Sequence, residues 1–80
     1  MTRDEISISD ISEALDLAMI KASKKMINKG ALVSTHEAFG KIYEEVYEAT
    51  KEMHKNNTPA FIEELVDIIV ACAWGIASLK

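Results

Sequence analysis

The sequence predicts an all-α fold: a three-helix chain, one small domain over residues 1–80, that assembles into an oligomeric helical bundle. Three observations carry this expectation. Apolar residues recur every three or four positions in three segments, helix start and stop residues punctuate those segments, and no strand alternation, repeat or low-complexity stretch interrupts them. A core of this size is marginal alone, because so short a chain buries only about 60–65% of the surface it exposes when unfolded. Yet 49% of the residues are hydrophobic, more than a lone three-helix core needs. That surplus points to self-association as a homodimer or homotetramer.

The first helix is expected over residues 10–29, after a loosely ordered stretch at residues 1–9. Asp10 followed by Glu13 forms an acidic variant of the capping box, and Gly30 supplies the stop. Its main apolar stripe is Ile11, Leu15, Ala18, Met19, Ala22 and Met26, with Leu17, Ile20 and Ile27 on another side. Ser34 with Glu37 makes a second capping box, opening a helix that runs to residue 55 with a core stripe of Phe39, Ile42, Val46, Ala49 and Met53. Thr58 as N-cap and Pro59 at the first helical position open the third helix, residues 59–79. On it, Glu64 and Asp67 share a side with Ala60, Ala71, Gly75 and Ser78, opposite Phe61, Leu65, Ile69, Cys72 and Ile76, at about 100° per residue. Small residues beside two acids leave room for a ligand or for a closely approaching helix.

Composition excludes several functions. A net charge of −4 argues against nucleic-acid binding, which needs clustered Lys and Arg to replace counterions. The uncharged stretch from Ile68 to Leu79 is too short for a bilayer, which takes about 20 residues, so no membrane partner is expected. The N-terminus opens no apolar run, and the lone Cys72 closes no internal disulfide; both fit a cytoplasmic location.

The chemistry concentrates in two acidic turns. Glu44-Glu45-Val46-Tyr47-Glu48 and Glu63-Glu64-Leu65-Val66-Asp67 each place carboxylates one helical turn apart, at Glu45/Glu48 and Glu64/Asp67. Two such helices packed antiparallel point four carboxylates into one space, where they repel unless a cation joins them. Oxygen donors of this type suit Mg²⁺, Mn²⁺ or Ca²⁺; the arrangement points to Mg²⁺.

These motifs resemble those of the MazG-like all-α nucleoside triphosphate pyrophosphohydrolases, relatives of dimeric dUTPases and phosphoribosyl-ATP pyrophosphatase. The family pattern, Glu-Glu-x-x-Glu, a spacer, then Glu-x-x-Asp, is met by Glu44-Glu45-Val46-Tyr47-Glu48 and Glu64-Leu65-Val66-Asp67, and the resemblance spans residues 10–79. It implies Mg²⁺ held by Glu45, Glu48, Glu64 and Asp67, a nucleoside triphosphate substrate, and cleavage of the α–β phosphoanhydride to a monophosphate and pyrophosphate. Glu44 or Glu48 is the candidate for orienting or deprotonating the attacking water. The chain departs from the pattern in ending soon after the third helix, and its groove-side Ala71 and Gly75 offer a base or ribose no hydrogen bond.

Blander readings stand beside these. Glu44 and Glu63 read as solvent-facing acids. Lys41, Lys51 and Lys55 read as solubilising charge first and as candidate phosphate contacts second. Lys21, Lys24, Lys25 and Lys29 read as favourable charge at a helix C-terminus. Trp74 reads as packing first and as a stacking partner for a base second. His36, His54 and Cys72 have no metal-ligand spacing. The rival function is a non-catalytic helical oligomerisation or protein-interaction module; a di-iron or di-manganese bundle is weaker, because no His follows a carboxylate by three residues.

Overall fold

A computed structural model describes residues 5–80 as three helices, α1 (Ile8–Lys25), α2 (Thr35–His54) and α3 (Thr58–Leu79), with no strand among those residues. Each start is set by a short polar side chain, though not always the expected one. Ser7 caps α1: its hydroxyl accepts from the Asp10 N–H at 3.1 Å, while the Asp10 carboxylate accepts from the Ser7 N–H at 3.0 Å. Asp10 is therefore the third helical residue rather than the cap. Those bonds from Ser7, backbone first, hold its carboxyl below the usual range. Ile8 and Ser9 are already helical where loosely ordered chain was expected; residues 1–4 of that stretch lie outside the described residues.

Ser34 caps α2 as expected, accepting from the Glu37 N–H at 3.1 Å, and Glu37 reaches back one residue further to the Val33 N–H at 2.8 Å. Ser34→Ala is expected to lower stability by about 1 kcal/mol, seen as a lower denaturant midpoint with unchanged slope. At α3 the cap is Asn57, one residue before the expected Thr58, because its side-chain oxygen meets the Ala60 N–H at 3.2 Å. Asn56 takes the left-handed conformation, φ 56°, that closes the tight turn between α2 and α3. The first helix also stops earlier than Gly30: Asn28, φ 63°, supplies the left-handed residue, and Gly30 has no positive φ.

The three-residue link between α2 and α3 makes them an antiparallel hairpin. α1 docks on α3 alone and makes no comparable contact with α2. The chain from α1 to α2 crosses the C-terminal end of α3, where the Trp74 indole N–H donates to the Gly30 carbonyl at 2.9 Å and the Leu32 N–H donates to the Ser78 hydroxyl at 2.9 Å. No helix among the described residues is long and apolar enough to cross a membrane.

The core is made of small residues. Ala18, Leu32, Ala38, Ala49, Val70 and Ala71 are its buried hydrophobic members, and no large side chain among the described residues is fully buried. The stripe of small residues on α3 serves the close approach of a helix: a Cβ placed on Gly75 would lie 3.4 Å from the Ala38 Cβ. A methyl still fits there, but Gly75→Leu is expected to force the helices apart at a cost of about 1–3 kcal/mol, measurable by chemical denaturation. This approach turns α2 so that Ala38, Ile42, Glu45, Ala49 and Glu52 face inward. The expected α2 core stripe is corrected accordingly: Ile42 and Ala49 are covered, while Phe39, Val46 and Met53 are exposed. On α1, Ala18, Ala22 and Met26 are at least half-buried, whereas Ile11, Leu15 and Met19 of the same expected stripe stay exposed. Bulky stripes lie outside because helices that approach through alanine and glycine leave no room for them between their backbones.

Candidate metal centre

The hairpin register brings the two acidic turns together. Glu45 lies on the inward face of α2, one turn from Ala49, and Glu64 and Asp67 lie on successive turns of the α3 side that meets it. One carboxylate oxygen from each of Glu45, Glu64 and Asp67 falls within 4.8 Å of the others. The electrostatic cost shows at Glu64. Burial first, then the charges of Asp67, Glu45 and Glu48, raise its carboxyl above the usual range, with Lys21 opposing.

A carboxyl whose pKa is raised on folding binds its proton more tightly in the native state. Its favourable contribution is complete below the unfolded pKa and is lost as pH rises through the folded one, so ionised Glu64 opposes folding at neutral pH. Glu64→Gln is accordingly expected to raise the melting temperature of the metal-free protein at pH 7, and the gain should vanish in acid. A scan of melting temperature against pH in chelator checks both halves.

Two lysines of α1 answer part of this charge. Asp67, its side chain only 12% exposed, receives the Lys21 ammonium at 2.7 Å and that of Lys25 at 3.2 Å. The hydrogen bond to Asp67 is the main reason Lys21 holds its proton more strongly than an ordinary lysine, with Glu63 and Glu64 adding weaker attraction. Sequence reasoning placed these lysines at a helix end and missed this role. Their spacing was the available signal, because Lys21 and Lys25 are one turn apart beside Ala18 and Ala22, the residues that dock α1.

The remaining candidates are arranged around this trio. Glu48 is not drawn into it: its side chain is 51% exposed and its carboxylate lies 3.6 Å from Lys51, although its charge reaches Glu64. Glu44 is more exposed still and lies 3.9 Å from Lys41. Both Glu44 and Lys41 line a cleft of about 160 Å³ beside the cluster, whose walls also include Lys25, Lys29, Glu45 and Trp74. The Trp74 ring reaches this cleft with its N–H committed to Gly30. Acids and ammonium groups are interleaved along its walls, Lys25 against Asp67 and Lys41 against Glu44.

The donor set fits a hard divalent ion. Ligand oxygens around octahedral Mg²⁺ lie about 3–4 Å apart, so the three carboxylates, within 4.8 Å of one another, would draw closer to share one ion. The same ion would take over the neutralisation that Lys21 and Lys25 provide at Asp67. No family model, curated protein or solved structure matches this chain.

Proposed function

We propose that this chain is a Mg²⁺-dependent nucleoside triphosphate pyrophosphohydrolase of the MazG-like kind. In this reading it acts in the cytoplasm as a homodimer or homotetramer and cleaves the α–β phosphoanhydride of (d)NTPs to a monophosphate and pyrophosphate. The observation that supports it most is the convergence of Glu45, Glu64 and Asp67, three of the four motif acids, beside a cleft that also carries lysines. Glu45, Glu64 and Asp67 would hold Mg²⁺, or Mn²⁺ in its place, with Glu48 reaching them after a rotamer change. The ion, when bound, neutralises phosphate oxygens and stabilises charge on the departing pyrophosphate.

The chain's own residues supply the rest. Lys25, Lys29 and Lys41 line the cleft and would offset the charge of an anionic substrate bound in it. Glu44, which lines the same cleft, would orient and deprotonate water in this reading, and Glu48, turned toward Lys51, is the second candidate for that step. Trp74 offers its ring face to a base. A pyrophosphate-release screen over canonical and modified dNTPs, with Mg²⁺ and with chelator, tests the proposal. Metal-dependent release from at least one nucleotide is expected, and silence across the panel contradicts it.

One observation favours the rival reading. Lys21 and Lys25 already satisfy Asp67 without any ion, as they would in a helical module whose acids serve only to dock α1. In that case the acids contribute to assembly and divalent cations have no effect on the protein.

A further inference from the structure

α1 rests on α3 through little apolar contact. Ala18 is its buried residue and Ala22 and Met26 are half-covered, while Ile8, Ile11 and Leu15 of its first two turns stay exposed. What fastens it is a polar clasp. The Lys21 and Lys25 ammonium groups, one turn apart, both reach the same oxygen, Oδ1 of Asp67, at 2.7 and 3.2 Å. Asp67 is also a member of the acidic trio with Glu45 and Glu64. One carboxylate therefore faces two kinds of cation, the lysines of α1 and a divalent ion shared with α2.

Charge sets these partners against each other. The three carboxylates carry three negative charges and the two ammonium groups offset two of them, the same amount that one divalent ion brings. With ion and lysines together the site would be overcompensated, and like charges meeting on one carboxylate repel strongly at such short range. The lysines are the party able to leave. Their side chains are already 36% and 47% exposed, and each ends in a strongly hydrated ammonium on a flexible stem that can swing into water. The acids, by contrast, are fixed to the α2–α3 hairpin.

We infer that Lys21 and Lys25 are tethered cations that stand in the ion's place at Asp67, so that divalent-ion binding and α1 docking oppose each other. The ion displaces both ammonium groups, opens the clasp and loosens α1 from α3. The link that follows α1 stays anchored, because Trp74 and Ser78 hold Gly30 and Leu32. Docked α1 in turn lowers the affinity for the ion by the same factor, as linkage between two equilibria requires. This antagonism presupposes the metal site proposed above and goes beyond it in making α1 the element that regulates ion binding.

Mn²⁺ titration of the full chain at fixed ionic strength tests it, with the free-ion paramagnetic signal read for the wild type, Lys21→Met, Lys21→Arg and Lys24→Met. Lys21→Met is expected to bind Mn²⁺ about fivefold more tightly or better, within the usual range of coupling between sites. Lys21→Arg keeps a cation on Asp67 and should stay near the wild type. So should Lys24→Met, which removes the same charge from a lysine outside the clasp. Hydrogen exchange of the wild type supplies a readout free of substitutions. Saturating Mg²⁺ should speed exchange of the α1 amides, because an undocked helix of 18 residues is only marginally stable, while amides of α2 and α3 slow. Equal or weaker Mn²⁺ binding by Lys21→Met, or α1 amides that slow along with the rest, overturns the antagonism and leaves the metal site in place. Absence of Mn²⁺ binding in all four proteins overturns the metal site and the antagonism with it.

Discussion

Asp67→Ala is expected to abolish Mg²⁺-dependent pyrophosphate release, by about a thousandfold or more, while helix content by circular dichroism stays near the wild-type value. A thousandfold corresponds to about 4 kcal/mol of lost transition-state stabilisation. The effect should be that large because Asp67 joins three arrangements at once: it is the most enclosed acid of the trio, it faces the cleft, and it is the group to which α1 is tied. The structural cost should be smaller, about 1 kcal/mol, since the lysines it would release are partly in water already. Glu64→Gln should match Asp67→Ala in turnover, and Glu48→Ala should cost less, because Glu48 stands outside the trio. Turnover unchanged in Asp67→Ala removes Asp67 from the mechanism.

Mg²⁺ is expected to stabilise the folded chain strongly. Glu64, crowded by the charges of Asp67 and Glu45, opposes folding until a cation joins it, and an ion bound only by the native state adds about 2.7 kcal/mol at a hundred times its dissociation constant. For a domain of this size that corresponds to a melting temperature about 10 °C higher or more. Glu64→Gln should reverse the pattern, melting higher than wild type in chelator and gaining little from Mg²⁺. A helical module whose acids only dock α1 gives the other result, with no shift on adding Mg²⁺ or removing it. Differential scanning fluorimetry of both proteins at matched ionic strength separates the specific ion from general screening.

The helices were legible in the sequence because local signals suffice for them. Short polar caps, an isolated proline and apolar periodicity marked all three, and the errors were of one to four residues at their ends. Ser7 and Asn57 were passed over because Asp10 and Thr58 have the same capping chemistry a few positions away, and only backbone geometry selects between them. Of the four acids expected to converge, Glu45, Glu64 and Asp67 come together and Glu48 stays outside, because helix spacing brings two turns together but does not fix which way each side chain turns. What periodicity does not contain is the rotation of one helix against another. Phe39, Val46 and Met53 read as core because they are the bulkiest apolar residues of α2, yet contact with α3 runs through Ala38 and Ala49. The Lys21 and Lys25 pairing with Asp67 was likewise hidden, because it spans more than forty residues of chain and depends on which face of α1 docks.

Titration with Mn²⁺, followed by the loss of the free-ion paramagnetic resonance signal, tests most directly whether the three acids grip a divalent cation. Saturable binding by the wild type, competed by Mg²⁺ and lost in both Glu64→Gln and Asp67→Ala, is the predicted result. A signal that stays at the free-ion level, or binding that survives both substitutions, contradicts it.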